Sequence, residues 1–258
     1  MFFENFKIAL RAIWANKLRS ILTVLGVMIG VAAVIAVVSL VQGMQKKISG
    51  DLSEIGSNFL EVYPDPGEER NPFLQKMPDL TIEDAEAVRR GTPAIGHFTP
   101  FFIRNAQTRN GSIRHTAQMY GVNDSYQEVV NHWVDRGRFF TALDLEAKKR
   151  VTVIGPQVAR KLRLGDDALG KSIQIDNNGY TVVGVLEKKG GSFGQDRDDL
   201  LLIPLTTAAA IYGADNMKKL VIAFQLRDGS DIDLAREQIT DILRTRHRLK
   251  KGERDDFR

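Results

Sequence analysis

The sequence predicts an α+β protein carried on one N-terminal membrane helix. Three observations predict it. Residues 21–41 are an uncharged apolar run, ILTVLGVMIGVAAVIAVVSLV. After it, strand-like and helix-like patterns mix without a strict βαβ rhythm. About 200 residues lie outside the run, enough for a domain of two small subdomains. The composition agrees: of 258 residues, 43% are hydrophobic and 26% charged, which suits a globular chain and argues against wholesale disorder. The absence of cysteine excludes a disulfide scaffold, a thiolate zinc site and a cysteine nucleophile.

The run from Ile21 to Val41 has 21 residues, which as an α-helix would measure about 31 Å against a hydrocarbon core of about 30 Å. A buried core helix is the competing reading, and runs this long favour a membrane span over it. A cleaved signal segment fits worse, because the run is too long and starts about 20 residues in. Lys7, Arg11, Lys17 and Arg19 precede the span, while only Lys46 and Lys47 follow closely. The positive-inside rule therefore places the N-terminus in the cytoplasm and the main domain outside.

The net charge is +4, with +3 in residues 1–20 and +4 in residues 244–258, leaving −3 elsewhere. A basic excess confined to the ends makes the pI of 9.2 poor support for nucleic-acid binding, and none is expected. Residues 1–20 are more than a charged flank. Phe2, Phe6, Ala9, Leu10, Ile13 and Trp14 recur at helical spacing, with Lys7 and Arg11 at the edge of the stripe or beyond it and Ile8 off it. The pattern reads as an interfacial helix on the inner membrane surface, or as a span that begins early. Gly26 and Gly30 make a G-x-x-x-G step that would let two helices approach, although glycine is common in membrane helices anyway.

Beyond the span, residues 42–55 keep a helical composition and would extend it as a stalk to about residue 56. Residues 58–63 read as a strand, and 64–80, with four prolines, as a loop. Thr81 caps a helix over 82–90. Residues 95–122 alternate as two strands around Asn110-Gly111. A strand at 151–154 precedes a helix opened by Pro156 and running to Leu162. Residues 173–175 and 180–185 form a hairpin around Asn177-Asn178-Gly179. A strand at 200–205, a helix at 206–212, a strand at 220–226 and a last helix capped by Ser230 complete the chain.

Two familiar catalytic patterns fail on context. Gly165–Ser172 matches G-x-x-x-x-G-K-[ST], but a phosphate-cradling loop needs a strand before it and a helix after it. Here a helix precedes and a strand follows. Gly190-Gly191-Ser192-Phe193-Gly194 matches G-x-S-x-G, but the nucleophile elbow needs a helix straight after the serine. Three glycines in five residues predict a mobile loop around Gly190, Gly191, Ser192 and Gly194. Asp196, Asp198 and Asp199 are read as a solvated turn in preference to a cation site. His97, His115, His132 and His247 show no ligand spacing and are read as surface or packing residues. The basic stretch 244–251 suits either a helix C-terminus or anionic headgroups. No catalytic residue, metal site or cofactor is expected.

The order of motifs resembles MacB-type ABC transporter permeases. The likeness rests on Asn16–Ser20 and Leu22–Ala33, then on Tyr120-Gly121-Val122, Gly137–Phe140, Val153–Gly155, Leu169–Ile173 and Val182–Leu186. Asp198-Asp199 before Leu202–Thr207, and the closing His247–Lys250, continue it. The resemblance implies a cytoplasmic helix over 1–20 near an ATPase, bearing Phe6, Lys7, Arg11, Trp14, Lys17 and Arg19. It implies a Porter-like subdomain over 57–118 and 203–250 and an inserted Sabre-like subdomain over 119–202. Residues 251–258 would lead toward a second membrane helix. Members of that family have four membrane helices, so the chain is expected to be a fragment.

The resulting expectation is a non-enzymatic permease subunit in a bacterial inner membrane. It would couple ATP hydrolysis on a partner ATPase to movement of its periplasmic or extracellular domain, exporting antibiotic, peptide or lipoprotein cargo. Its partners would be the ATPase, a second copy or a paralogous permease, the bilayer and a periplasmic adaptor. The alternative is a single-pass, membrane-anchored binding module.

Overall fold

The computed structural model describes residues 4, 7–8, 14–55, 58–67, 77–165, 167–192 and 195–258, without the side chains of 47–55, 192 and 195. It divides into two compact units, residues 1–54 and 55–258.

In the first unit, one helix, α1 (Lys17–Ile55), runs for 39 residues, about 58 Å. The uncharged run occupies its N-terminal half, and its apolar side chains are exposed from Leu18 to Met44. Residues 17–46 of this helix are long and apolar enough to cross a membrane. The helix continues without a break past Val41 to Ile55. Before it, Glu4, Lys7, Ile8, Trp14 and Ala15 are helical and Asn16 makes a turn.

In the second unit, strand β1 (Phe59–Val62) is followed by helix α2 (Ile82–Gly91) and strands β2 (Ile95–Asn110) and β3 (Ile113–Val122). Next come α3 (Tyr126–Val130), β4 (Val134–Gly137), α4 (Ala142–Glu146), β5 (Val151–Ile154) and α5 (Pro156–Lys161). β6 (Ser172–Ile175), β7 (Asn178–Leu186), a small hairpin of β8 (Gly191–Ser192) and β9 (Gln195–Asp196), and β10 (Leu200–Pro204) follow. The unit closes with α6 (Leu205–Tyr212), a 3₁₀ turn at Ala214–Lys218, β11 (Val221–Leu226) and α7 (Ile232–Arg246).

Among the described residues, the main sheet has nine strands in the order β1-β11-β2-β3-β10-β5-β7-β4, with β6 bridging β2 and β7. The pairs β3–β10 and β5–β7 are parallel and the rest antiparallel. The sheet separates two apolar cores. Leu201, Ile203 and Ile154 face one, with Val158 of α5, Ala208 of α6 and Ile239 of α7. Leu200, Leu202 and Val153 face the other, with Tyr126 and Val129 of α3. This explains why residues 151–154 and 200–204 are buried at every position, a strand covered on both faces having no solvent side, with the one polar side chain, Thr152, donating to the Leu202 carbonyl at 2.8 Å.

Local signals place most elements. Thr81 and Asp84 form a capping box at the start of α2. Gly111, at φ +58°, makes the β2–β3 turn. Two local expectations shift by a residue. The β6–β7 turn is Asp176-Asn177, both at positive φ, so Asn178 and Gly179 already belong to the strand. The cap of α7 is Asp231, not Ser230, since a carboxylate reaches the amides of Asp233 and Leu234. α3, β4 and α4 had no clear sequence signal.

Candidate functional site

The feature that joins the two ends of the extramembrane unit is a clasp. Tyr63, just after β1, exchanges backbone hydrogen bonds with Arg258, each 2.9 Å. The Asp65 amide donates to the Asp256 carbonyl at 2.8 Å, and Pro64 bridges Phe257 in antiparallel sense. Residues 63–65 and 256–258 therefore run side by side, antiparallel, next to β1. Phe257 is buried and joins the larger core.

The clasp is fixed to the helices by charge. α7 brings Arg244, Arg246 and His247 to its C-terminal end, where cations complement the helix dipole. Arg246 Nε donates to Asp84 Oδ1 at 2.6 Å, tying α7 to the start of α2. His247 Nδ1 meets the Asp256 carboxylate at 2.8 Å, and its Nε2 lies 3.6 Å from Asp84 Oδ2, too far for a hydrogen bond. Its ring packs edge-on against Phe257 at 5.9 Å. Arg244 pairs with Asp255 and caps the carbonyls of Lys250 and Glu253. Burial pushes the Asp84 carboxyl up, but the Arg246 guanidinium and the Thr81 amide and hydroxyl outweigh it and hold the group below the ordinary carboxylate value. His247 was expected to be a surface or packing residue. It packs on Phe257 and also pairs with Asp256, both on the closing segment of the clasp.

A second feature is a cavity of about 220 Å³ lined by Phe101, Tyr120, Tyr126, His132, Glu61 and Arg197 among others. Phe101 meets Tyr120 and Tyr126 edge-to-face at 5.9 and 6.0 Å. Burial, aided by Glu61, pushes the Tyr120 hydroxyl up to about 12, so it remains a neutral donor; it donates to Gln118 at 2.8 Å. Burial lowers His132, whose ring contacts the Tyr126 hydroxyl and the Glu187 carbonyl. The floor is apolar and aromatic, and the rim is charged.

The sequence-derived site residues are scattered across both units. Gly26 and Gly30 lie one turn apart on α1, and a Cβ at either would meet no atom within 4 Å. Lys7 and Trp14 are exposed on helical backbone, and Lys17 and Arg19 are on α1, where the Arg19 carbonyl accepts from Thr23 at 2.8 Å. Phe6, Arg11 and Gly194 lie outside the described residues. Gly190, at φ +74°, leads into the β8–β9 hairpin that contains Gly191 and Ser192. The Asp198 carboxylate holds the base of that hairpin through the Lys189 and Gly190 amides, at 2.8 and 3.0 Å. Asp199 is paired with His115 and Lys161, both at 2.7 Å. The segment 165–172 sits between α5 and β6, and Lys171 Nζ donates to the Leu164 carbonyl, a geometry with no helix amides to hold phosphate.

A membrane-spanning helix followed by a mixed α/β unit with its two ends clasped defines a membrane-anchored extramembrane domain. The chain belongs to the family of the MacB-like periplasmic core domain, which it matches over residues 20–242. It is 32% identical over 249 residues to the macrolide export ATP-binding/permease protein MacB of Neisseria meningitidis, covering 95% of this chain and 38% of the relative. It is 30% identical over 250 residues to the pyoverdine export ATP-binding/permease protein PvdT of Pseudomonas putida, covering 96% and 37%. The chain thus spans well under half the length of these relatives. Two solved structures share the fold. The periplasmic region of MacB from Actinobacillus actinomycetemcomitans has a TM-score of 0.64 at 21% identity, covering 80% of this chain and 89% of that one. The extracellular domain of the ABC-type transporter YknZ from Gram-positive bacteria has a TM-score of 0.61 at 20% identity, covering 78% and 98%.

Proposed function

We propose that this chain is the first membrane helix and extracytoplasmic domain of an ABC exporter permease. ATP hydrolysis takes place on a partner ATPase, and the chain itself carries no catalytic group. The N-terminus is cytoplasmic, the main domain lies outside the bacterial inner membrane, and the cargo is an antibiotic, peptide or lipoprotein. The permease works as a dimer, with a second copy or a paralogue, and a periplasmic adaptor docks on the outer domain. The domain comprises a Porter-like part, 57–118 with 203–250, and an inserted Sabre-like part, 119–202. Residues 251–258 lead toward a second membrane helix.

The observation that carries the reading is the clasp, taken with the unbroken helix that precedes it. A domain moved by its membrane legs must hold both legs on one rigid base, or displacement is lost in the linkers. Here residues 63–65, which follow β1, are bound to residues 256–258 by backbone bonds, with Phe257 in the core and an ionic network beside it. α1 continues well beyond the length a bilayer needs, so a helical stalk is available to transmit motion.

The test inserts Gly-Gly after Lys47 in the complete transporter, reconstituted with its ATPase. Two glycines interrupt a helix at about 1 kcal/mol each relative to alanine and shift its register. The expected result is ATP hydrolysis retained with export lost. Unchanged export would refute the rigid-stalk mechanism.

A further inference from the structure

Strands β3, β2 and β6 present one rung of outward side chains in which Arg109 stands directly across from Arg114 on one side and Gln174 on the other. Alternation fixes their direction. Ala106, Thr108, Ala117, Ile173 and Ile175 are buried, while Gln107, Arg109, Arg114 and Thr116 are exposed. Directly opposed residues of an antiparallel pair hold their Cβ atoms about 5 Å apart, and like charges so placed destabilise the sheet. A nearby carboxylate would relieve such a pair. Among the described residues, neither guanidinium has a hydrogen-bond or ion-pair partner.

The acids on adjoining elements are committed elsewhere. Asp176 accepts from the Gln107 amide at 2.9 Å and the Tyr212 hydroxyl at 3.0 Å, and pairs with Arg104 at 3.5 Å. Asp199 is taken by His115 and Lys161. The rung borders a cleft of about 490 Å³ whose wall also includes Gln107, Thr116 and Asn177, and among the described residues no carboxylate lines it. Two fixed positive charges, ringed by amide and hydroxyl donors and open to solvent, constitute the reverse image of a multivalent oxyanion.

We propose that the Arg109–Arg114 rung is an oxyanion site that takes a phosphoryl dianion. The charge decides the class: a dianion compensates both guanidiniums, whereas a single carboxylate leaves one of them uncompensated. The planar forks of arginine match phosphoryl oxygens in pairs. The same group reaches the cleft either as free phosphate or as the phosphate monoester of a lipid headgroup. The site lies on the extramembrane unit and does not depend on the transport reading.

The test is thermal unfolding of the full chain in neutral detergent, at low ionic strength and in a phosphate-free buffer. The probes are inorganic phosphate and, separately, soluble dihexanoyl phosphatidic acid at the same concentration. At about tenfold excess over the dissociation constant, the midpoint of the parent protein should rise by about 3 °C. Arg109→Gln/Arg114→Gln should show no anion-dependent rise and, without anion, should melt at or above the parent because the repulsion is gone. Arg114→Thr, which keeps a strand-forming residue, gives the same readout if the double variant folds poorly. A larger shift with the lipid assigns the group to headgroups, and a larger shift with inorganic phosphate assigns it to the free ion. Equal shifts in parent and variants would reveal a general salt effect and overturn the proposal. So would the absence of a shift with both probes.

Discussion

Replacing Asp84 by alanine tests whether the charge network at the clasp holds the domain together. Asp84 is buried at the start of α2, where its carboxylate accepts the Thr81 amide at 2.9 Å and hydroxyl at 2.8 Å and Arg246 Nε at 2.6 Å. A hydrogen bond to a charged group contributes about 1.5–3 kcal/mol, and a capping interaction about 1 kcal/mol. Arg246 is 37% exposed and regains water once freed, so the lower end applies to that pair. The expected loss is therefore about 2.5 kcal/mol. With a urea slope of about 2 kcal/mol per molar, the midpoint should fall by about 1.2 M. The assay follows Trp133 fluorescence in a Trp14→Phe background, because these are the two tryptophans of the chain. Asp233→Ala is the control. Its partner Arg236 is 63% exposed and Asp233 83%, so the loss should stay below about 0.5 kcal/mol. The pH dependence has a definite sign. Because the folded carboxyl titrates below its ordinary value of 3.8, its stabilisation is fully present above that pH and fades as pH falls through the folded value. Asp84→Ala should remove that part of the acid sensitivity. A folded variant within about 0.5 kcal/mol of the parent, with the parent's acid slope, would refute the argument.

Other outcomes follow from backbone approach and helix surface. At Gly155 an added Cβ would sit 2.2 Å from the Asp198 carbonyl oxygen, so Gly155→Ala should cost more than about 3 kcal/mol and sharply lower the soluble yield of folded protein. If α1 packs through its G-x-x-x-G face, Gly26→Ile/Gly30→Ile should abolish cross-linking between copies in the membrane while leaving insertion intact; undiminished cross-linking would remove that face from the interface.

Much of the fold was legible because its causes are local. The membrane helix follows from the uncharged run of residues 21–41, the start of α2 from Thr81 and Asp84, and the β2–β3 turn from Asn110-Gly111. Strand context also disqualified the P-loop pattern at Gly165–Ser172, and the structure supplies the same reason, a strand at Ser172 where a helix is needed. The β6–β7 turn and the cap of α7 shifted by one residue, since neighbouring Asp, Asn and Ser compete for the same local hydrogen bonds. α3 and α4 are five residues each, too short for periodicity to register.

What the sequence by itself determined is the class of the chain: an apolar helix with the length to cross a bilayer, ahead of an α+β domain whose ordered motifs carry the family. What only the tertiary structure decided is which side chains meet. Arg246 finds Asp84 across 162 positions, Asp256 closes on His247, and residues 256–258 pair with 63–65. Arg109 and Arg114 are unremarkable basic residues until β6 joins β2 and the neighbouring acids are seen to be committed elsewhere. Periodicity and capping are written in the chain within a few residues. Electrostatic partners are chosen by sheet order and register, which depend on packing between segments far apart along it.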